Sequence, residues 1–132
     1  MAATSPIKLR ARPQLRSPCL IAAWGCIGNV GLLAARYLVD KLGARDLGEI
    51  ESESFFFPLE VVIRATGSET LGFPQSRLYY SAEGPRGLLL CLADEEPSLR
   101  RKEYAELLLN LAREFGVHRV YTICAHTLAL HH

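Results

Sequence analysis

The chain has 132 residues, of which 49% are hydrophobic and 22% charged, and its formal net charge at pH 7 is +1. This composition predicts one compact globular domain with an apolar core. The near-neutral charge, with a pI near 7.7, provides no electrostatic case for binding nucleic acid, which normally requires a strongly basic face.

The first 17 residues are basic and contain prolines. Four cations precede the first acid of the chain: Lys8, Arg10, Arg12 and Arg16. We expect a flexible, solvated tail over residues 1–17, and the alternative is a basic arm for an acidic partner. The apolar stretch that follows is short and interrupted by glycines, which favours a cytoplasmic protein over a signal peptide or a membrane span.

The cysteines and histidines predict neither a disulfide framework nor a metal site. No C-x-x-C pair occurs among Cys19, Cys26, Cys91 and Cys124. Three of these cysteines lie in apolar runs, so reduced and mostly buried thiols are expected. The four histidines lack a regular metal-ligand spacing, and we expect no metal and no cofactor.

The run "CLIAAW", residues 19–24, predicts a buried strand because it is continuously apolar and of strand length. A helix should follow, with Asn29 as its N-cap and Gly43 as its left-handed C-cap. Six residues at helical spacing predict its buried face: Val30, Leu33, Ala34, Tyr37, Leu38 and Leu42.

The middle of the chain predicts three strands. Phe55, Phe56 and Phe57 end at Pro58, which is typical of a strand at the edge or end of a sheet. The stretches "LEVVIRAT" and "SRLYYSA" predict two more strands that pair antiparallel, with a turn-rich segment between them.

The second half repeats the order strand, helix, strand. "GLLLCLADEEP" predicts a buried strand, Pro97 suits the first turn of a helix, and Gly116 closes that helix. Its core face should consist of Tyr104, Leu107, Leu108, Leu111, Ala112 and Phe115. "VHRVYTICA" predicts the last strand. Two such units predict an α/β fold of three α/β/α layers with a mostly parallel sheet.

Ligands of such folds usually bind beyond the carboxyl ends of the strands, where this chain has two candidate loops. The first, "GCIGNVG", contains Gly25, Gly28, Asn29 and Gly31. Its glycines are three apart, unlike the dinucleotide pattern G-x-G-x-x-G, and no G-K-[ST] follows. A structural turn is therefore favoured over a nucleotide site, although a helix N-terminus can attract an anion.

The second loop, "ADEEP", contains Asp94, Glu95, Glu96 and Pro97. Carboxylates at a strand end can bind a metal or act as a general base. The alternative is that these acids stabilise the start of the next helix through its dipole, which we favour. No G-x-S-x-G, H-E-x-x-H or C-x-x-C motif accompanies them, so the sequence predicts no catalytic residue.

Three stretches resemble, in order, the N-terminal half of the proteasome assembly chaperone superfamily: "LIAAWGCIGNVGLLAARYLVDKLGA", "LADEEPS" and "EFGVHRVYTI". The resemblance covers Pro18 to Ala125 and implies one α/β/α domain over residues 18–132, similar to nucleoside phosphorylases and hydrolases. The family turn falls on Gly28, Asn29, Val30 and Gly31 as scaffold, with Cys26 where the family often has glycine. Members usually continue past the final strand, so the chain resembles a half-length or truncated member.

The resemblance implies a non-catalytic chaperone or assembly module. Its expected partners are proteins, either further copies of itself or proteasome α-type subunits, with no nucleic acid and no membrane. Relatives that dock on the α ring often end in hydrophobic-Tyr-x, whereas this chain ends in "TLALHH". The alternative function is a small-molecule enzyme, either similar to ATP-dependent carboxylate-amine ligases or nucleoside-binding, that uses the acidic loop.

Overall fold

The computed structural model describes residues 5–58, 60–63 and 69–125. Residues 126–132 at the end of the sequence and part of the predicted strand "LEVVIRAT" lie outside these ranges. The described elements are, in chain order, β1 (Ile7–Leu9), β2 (Cys19–Trp24), a short 3-10 turn (Ile27–Asn29), α1 (Val30–Leu42), β3 (Arg45–Ile50), β4 (Glu60–Ile63), β5 (Glu69–Gly72), β6 (Ser76–Ser81), β7 (Leu88–Ala93), α2 (Arg101–Glu114) and β8 (Arg119–Ile123).

Six strands form one sheet in the order β1-β3-β6-β7-β2-β8, and β4 and β5 form a separate antiparallel pair. Strand β2 lies between β7 and β8 and is parallel to both. The β1–β3, β3–β6 and β6–β7 pairings are antiparallel. The fold is therefore α/β with a mixed sheet.

The prediction of a mostly parallel sheet is wrong, because three of the five pairings are antiparallel. The connection from β6 to β7 is a short hairpin link, and only a crossover of a dozen or more residues can return a chain to a parallel neighbour. The predicted pairing of "LEVVIRAT" with "SRLYYSA" is also wrong. Strand β4 pairs with β5, and β6 pairs with β3 and β7.

The two helices pack on opposite faces of the sheet. Because side chains alternate along a strand, Leu20 and Ala22 of β2 join the core cluster that contains residues of α2. Ala23 points to the other face and packs with Leu32 and Ala35 of α1. The predicted core face of α2 is confirmed, since Tyr104, Leu108, Leu111 and Ala112 are buried and Leu107 and Phe115 pack beside them.

The predicted core face of α1 is wrong. Gly31, Leu32 and Ala35 are the buried residues of this helix. Leu33 and Tyr37, both expected inside, are each 61% exposed. Apolar residues occur around most of α1, so periodicity alone does not identify the buried face. The prediction chose the face with the larger side chains, whereas the face with the smaller side chains contacts the sheet.

Two further segments differ from the sequence prediction. Residues 7–9 form strand β1 at the sheet edge, and Arg10 contacts Asp46 at 3.0 Å and Glu49 at 3.2 Å. This part of the N-terminal segment therefore belongs to the domain rather than to a flexible tail. The predicted Phe55–Phe57 strand is also wrong. Strand β3 ends at Ile50, and Phe55 and Phe56 are buried edge-on against the Tyr104 ring.

Candidate functional site: the strand-end loops

The two candidate loops lie against each other at the carboxyl ends of β2 and β7. The Gly25 N–H donates to the Ala93 carbonyl at 2.9 Å. A Cβ atom at Gly25 would lie 1.8 Å from the Asp94 carbonyl oxygen. The missing side chain at Gly25 therefore makes room for the backbone of the acidic loop.

Gly31 has the same role between α1 and β8. A Cβ atom there would lie 2.2 Å from the Ile123 carbonyl oxygen and 2.8 Å from the carbonyl carbon. The first turn of α1 consequently lies directly on the end of β8. Two of the three motif glycines thus create space that the protein's own backbone occupies.

The middle of the first loop is a tight turn. Gly28 has φ of +69° and Asn29 has φ of +51°, both in the left-handed region, where glycine and asparagine are best tolerated. Asn29 precedes α1 as predicted, but its side chain makes no capping hydrogen bond. The Cys26 thiol accepts a hydrogen bond from the Ala125 N–H at 3.2 Å, which joins the loop to the segment after β8.

Asp94 is the one acid of the second loop with defined partners. Its Oδ2 accepts a hydrogen bond from the Gln75 N–H at 2.9 Å, and its own N–H donates to the Gln75 carbonyl at 2.9 Å. Its Oδ1 lies 3.4 Å from the Arg36 guanidinium. Asp94 therefore connects the loop to the start of β6 and to α1. Sequence reasoning missed both partners, because neither lies near the acid in the chain.

The other loop residues lie outside this network. Glu95 and Glu96 are exposed, and Pro97 is buried. Helix α2 begins at Arg101, so Pro97 precedes the helix instead of forming its first turn, and the Pro97 carbonyl accepts a bond from Arg101 Nε at 2.9 Å. Asp94, Glu95 and Glu96 precede α2 and are not part of its first turn, whose acid is Glu103.

A polar cleft of about 490 Å³ opens beside Asp94, between α1 and strands β6 and β7. It contains the charged residues Arg36, Asp40, Arg77 and Asp94, together with Gln75 and Tyr79. Two cations and two acids make the cleft electrically balanced. Such a lining has no excess charge with which to attract a phosphate or a metal ion.

An apolar groove of about 350 Å³ lies on the other face of the sheet, between α2 and β8. Its sheet side includes Trp24 and Val120, and its helix side includes Ala105 and Leu109, which is 43% exposed. The Trp24 indole nitrogen lies near the Tyr104 hydroxyl and has no hydrogen-bond partner among the described residues. The sequence signals for this groove are Trp24 at the end of a buried run and the mixed pattern of β8.

A small polar network is buried beneath α2. The Tyr104 hydroxyl and Ser76 Oγ share a hydrogen bond of 2.7 Å, and Cys91 Sγ lies 3.6 Å from the same hydroxyl. Burial is the largest cause that raises the pKa of Tyr104 well above its usual range, and the nearby Cys91 is the second largest. Burial also raises the pKa of the Cys91 thiol. Cys91 is the one buried cysteine, so the prediction of mostly buried thiols is wrong.

Within residues 5–58, 60–63 and 69–125, no three histidine, cysteine or acidic side chains converge as a metal site would require. In the same part of the chain, neither helix combines the length and the apolarity that crossing a bilayer demands.

The geometry defines a class of protein: an α/β domain whose strand-end loops pack against each other and whose exposed surfaces include an apolar groove. The chain belongs to the PAC2 family, whose profile matches residues 20–129. No curated protein sequence matches the chain.

Solved structures extend the comparison. Pyrococcus furiosus PbaB, an archaeal proteasome activator, is 27% identical with a TM-score of 0.70 over 88% of this chain and 49% of its own. A Mycobacterium tuberculosis proteasome-assembly chaperone homologue is 20% identical with a TM-score of 0.65 over 79% of this chain and 48% of its own. Pyrococcus furiosus PbaA, an archaeal homologue of proteasome-assembly chaperone, is 24% identical with a TM-score of 0.59 over 89% of this chain and 47% of its own. The chain thus spans about half the length of these proteins.

Proposed function

We propose that the chain is a non-catalytic assembly module that binds protein subunits, with proteasome α-type subunits as the first candidate client. Membership of the PAC2 family and similarity to an archaeal proteasome activator support this proposal. The proposal includes a cytoplasmic location, self-association, and a single domain with three α/β/α layers that extends the predicted range 18–132 to include strand β1. It includes neither a nucleic-acid nor a membrane partner.

The observation that carries the proposal is how the strand-end site is filled. Gly25 and Gly31 make room for the carbonyls of Asp94 and Ile123, not for a ligand. The Asp94 carboxylate accepts a backbone hydrogen bond and contacts Arg36. The Asp94 carboxylate, the acid of this loop with defined partners, is thus engaged in holding three elements together, and the proposed enzyme alternative gains no support.

We place the client surface at the apolar groove between α2 and β8. Exposed apolar side chains with a concave lining are typical of protein interaction sites. Leu109 lies at the rim of the groove, and the Trp24 side chain lines its sheet side. Aromatic residues in desolvated pockets contribute much of the binding energy in protein interfaces.

The test uses purified chain and recombinant α-type subunits from the same organism, analysed by native mass spectrometry and calorimetry. We expect a defined complex that Leu109→Glu weakens by about tenfold or more, because a carboxylate would be buried in an apolar contact. Phe57→Glu is the matched control, since Phe57 is 60% exposed and is not among the residues that line the groove. Absence of any complex, or equal weakening by both variants, contradicts the proposal.

A second experiment separates the enzyme alternative. The triple variant Asp94→Ala, Glu95→Ala and Glu96→Ala is compared with the wild-type chain in a screen with ATP, carboxylate-amine substrate pairs and nucleosides. We expect no turnover in either protein. Turnover by the wild-type chain that disappears in the triple variant would move the function to the enzyme class.

A further inference from the structure

Two of the four cysteines lie close together at the carboxyl ends of β2 and β8. Cys26 follows β2 in the first loop, and Cys124 directly follows the last residue of β8. The Cys26 Sγ atom lies 3.2 Å from the Ala125 amide nitrogen. That nitrogen is two covalent bonds, about 2.4 Å, from the Cα atom of Cys124. The two cysteines are therefore neighbours in space although they are far apart in the chain.

The strand register explains why these two residues meet. Thr122 of β8 lines the apolar groove and pairs with Ala22 of β2, which lines the same groove. Since side chains alternate along a strand, Cys124 follows on the groove side of β8, level with Trp24 of β2. Cys26 has extended backbone angles, with φ of −146° and ψ of −163°, and its sulfur reaches the backbone that follows Cys124.

The separation of the two residues suits a disulfide bond. Because Cys26 Sγ contacts the Ala125 nitrogen at 3.2 Å, the Cα atom of Cys124 lies within about 5.6 Å of that sulfur. A disulfide joins residues whose Cα atoms are about 4.4–6.8 Å apart, through an S–S bond of about 2.05 Å. Rotation about the Cα–Cβ bond of Cys124 can bring its sulfur towards Cys26 while the pairing of β2 with β8 stays unchanged.

The other two cysteines are poorly placed for such a bond. Cys91 is buried beneath α2, where its sulfur contacts the hydroxyl groups of Ser76 and Tyr104. Cys19 lies at the opposite end of β2 from Cys26. The strand alone separates Cys19 from the groove-end residue Trp24 by about 16 Å at the usual rise per residue. Geometry therefore selects Cys26 and Cys124 among the four thiols.

We propose that Cys26 and Cys124 are a reversible modification site, at which oxidised glutathione converts the two thiols into an intramolecular disulfide. Neither cysteine is buried, as attack on an external disulfide requires. The site fits the cytoplasmic location proposed above, because disulfides in that compartment are mostly transient and redox-sensing. The inference concerns the domain itself and does not depend on the client.

The reaction is two successive thiol–disulfide exchanges. The Cys124 thiol loses its proton to water, and the thiolate attacks one sulfur of oxidised glutathione, whose S–S bond breaks and releases the first glutathione thiolate. The Cys26 thiolate, formed in the same way, then attacks the Cys124 sulfur and releases the second glutathione thiolate. The two protons end on the two glutathione molecules. The cysteine pair is oxidised, and oxidised glutathione is reduced.

The disulfide would replace a weak contact by a covalent one. In the reduced chain, the hydrogen bond from the Ala125 N–H to Cys26 joins the first loop to the segment after β8. The disulfide closes a loop of about 100 residues, and cross-links that close long loops restrict the unfolded chain most. We therefore expect the midpoint of urea unfolding to rise by about 1 M or more on oxidation, and to return on reduction.

The test treats the full, folded chain with oxidised glutathione and measures its intact mass. We expect the loss of two hydrogen atoms with no glutathione attached. Cys26→Ser and Cys124→Ser should each abolish this product and trap the remaining cysteine as a glutathione adduct. Cys19→Ser is the matched control and should oxidise as the wild-type chain does. Because trypsin leaves Cys19 and Cys26 in one peptide, residues 17–36, digestion of this control identifies the bond as a link to residues 120–132.

A second comparison shows whether the fold brings the two thiols together. In the folded chain the Cys26–Cys124 bond should form about tenfold or more faster than in urea, where a loop of about 100 residues must close by chance. Circular dichroism of each variant checks that it is folded. A wild-type chain that gains only glutathione adducts overturns the inference. So does a disulfide that includes Cys19 or Cys91, or a Cys26–Cys124 bond that forms equally fast in urea.

Discussion

Replacing Gly31 by alanine sets two contributions to the free energy of unfolding against each other. Gly31 has ordinary helical backbone angles, so alanine should stabilise the helix by about 1 kcal/mol through propensity alone. The new Cβ would, however, lie 2.2 Å from the Ile123 carbonyl oxygen. A normal C···O contact is about 3.3 Å, so α1 or the end of β8 must move by about 1 Å.

Overpacking against backbone atoms typically costs about 1–3 kcal/mol. The obstacle here is a carbonyl within a parallel strand pair, which cannot rotate away as the end of a side chain can. The cost should therefore fall in the upper part of that range, about 2–3 kcal/mol, and after subtraction of about 1 kcal/mol for propensity we expect a net destabilisation of about 1–2 kcal/mol. In a domain of this size that lowers the melting temperature by about 4–8 °C.

The assay is urea unfolding followed by circular dichroism, with Ala105→Gly in α2 as the propensity control. Ala105 is exposed, so its replacement should cost about 1 kcal/mol and no more. If Gly31→Ala is as stable as the wild-type chain or more so, helix propensity dominates. The close approach of α1 to β8, and the scaffold role of the motif, would then be refuted.

Three further predictions concern polar contacts. Asp94→Asn should change stability by less than about 0.5 kcal/mol, since an amide oxygen still accepts the Gln75 N–H and the Arg36 contact is exposed, whereas Asp94→Ala should cost about 1 kcal/mol by urea unfolding. Tyr104→Phe and Ser76→Ala should each cost about 1–2 kcal/mol, and the double variant should cost less than their sum because the two hydroxyls bond each other. Since the pKa of Tyr104 is raised in the folded state, the unfolded chain loses its tyrosine proton first. The Tyr104 contribution to stability is therefore full below about pH 10 and falls above it, and in unfolding measured from pH 8 to 11 the Tyr104→Phe variant should show a smaller fall.

The sequence predicts best what depends on local patterns. The strand before Gly25 and both helices occur where apolar runs and closing glycines indicate, and Gly43 has φ of +58° as a left-handed C-cap requires. The meeting of the two loops also follows from strand direction, because β2 and β7 end at the same edge. Each of these features can be predicted from a short stretch of the sequence.

The pairing of strands could not be predicted in this way. Strand β3 contains Arg45, Asp46 and Glu49, and its Gly48 has φ of +154° at a bulge where β1 passes close by. Such a strand lacks apolar alternation, and its neighbours are determined by contacts far along the chain. The predicted parallel sheet therefore was wrong over the half where β3 and β6 lie.

Within the site, the sequence identifies the residues but not their roles. The glycines at 25 and 31 are necessary because of what lies opposite them, and those atoms belong to residues 94 and 123. The partners of Asp94, Gln75 and Arg36, come from two other elements. No spacing rule connects these positions. The sequence alone therefore could not decide whether the glycine loop is a structural turn or a ligand-binding loop.

The position of β2 between two late strands has a consequence for how the chain folds. Cys19 pairs with Leu88 on one side and with Arg119 on the other, so β2 can pair only after both of these later strands are made. At about 5–20 residues per second, a ribosome needs about 5–20 s to synthesise the hundred residues between β2 and β8. During that interval β2 and α1 expose apolar surface, and non-local parallel pairing is slow in any case. Strand β2 therefore completes its pairing only late in the folding of the chain.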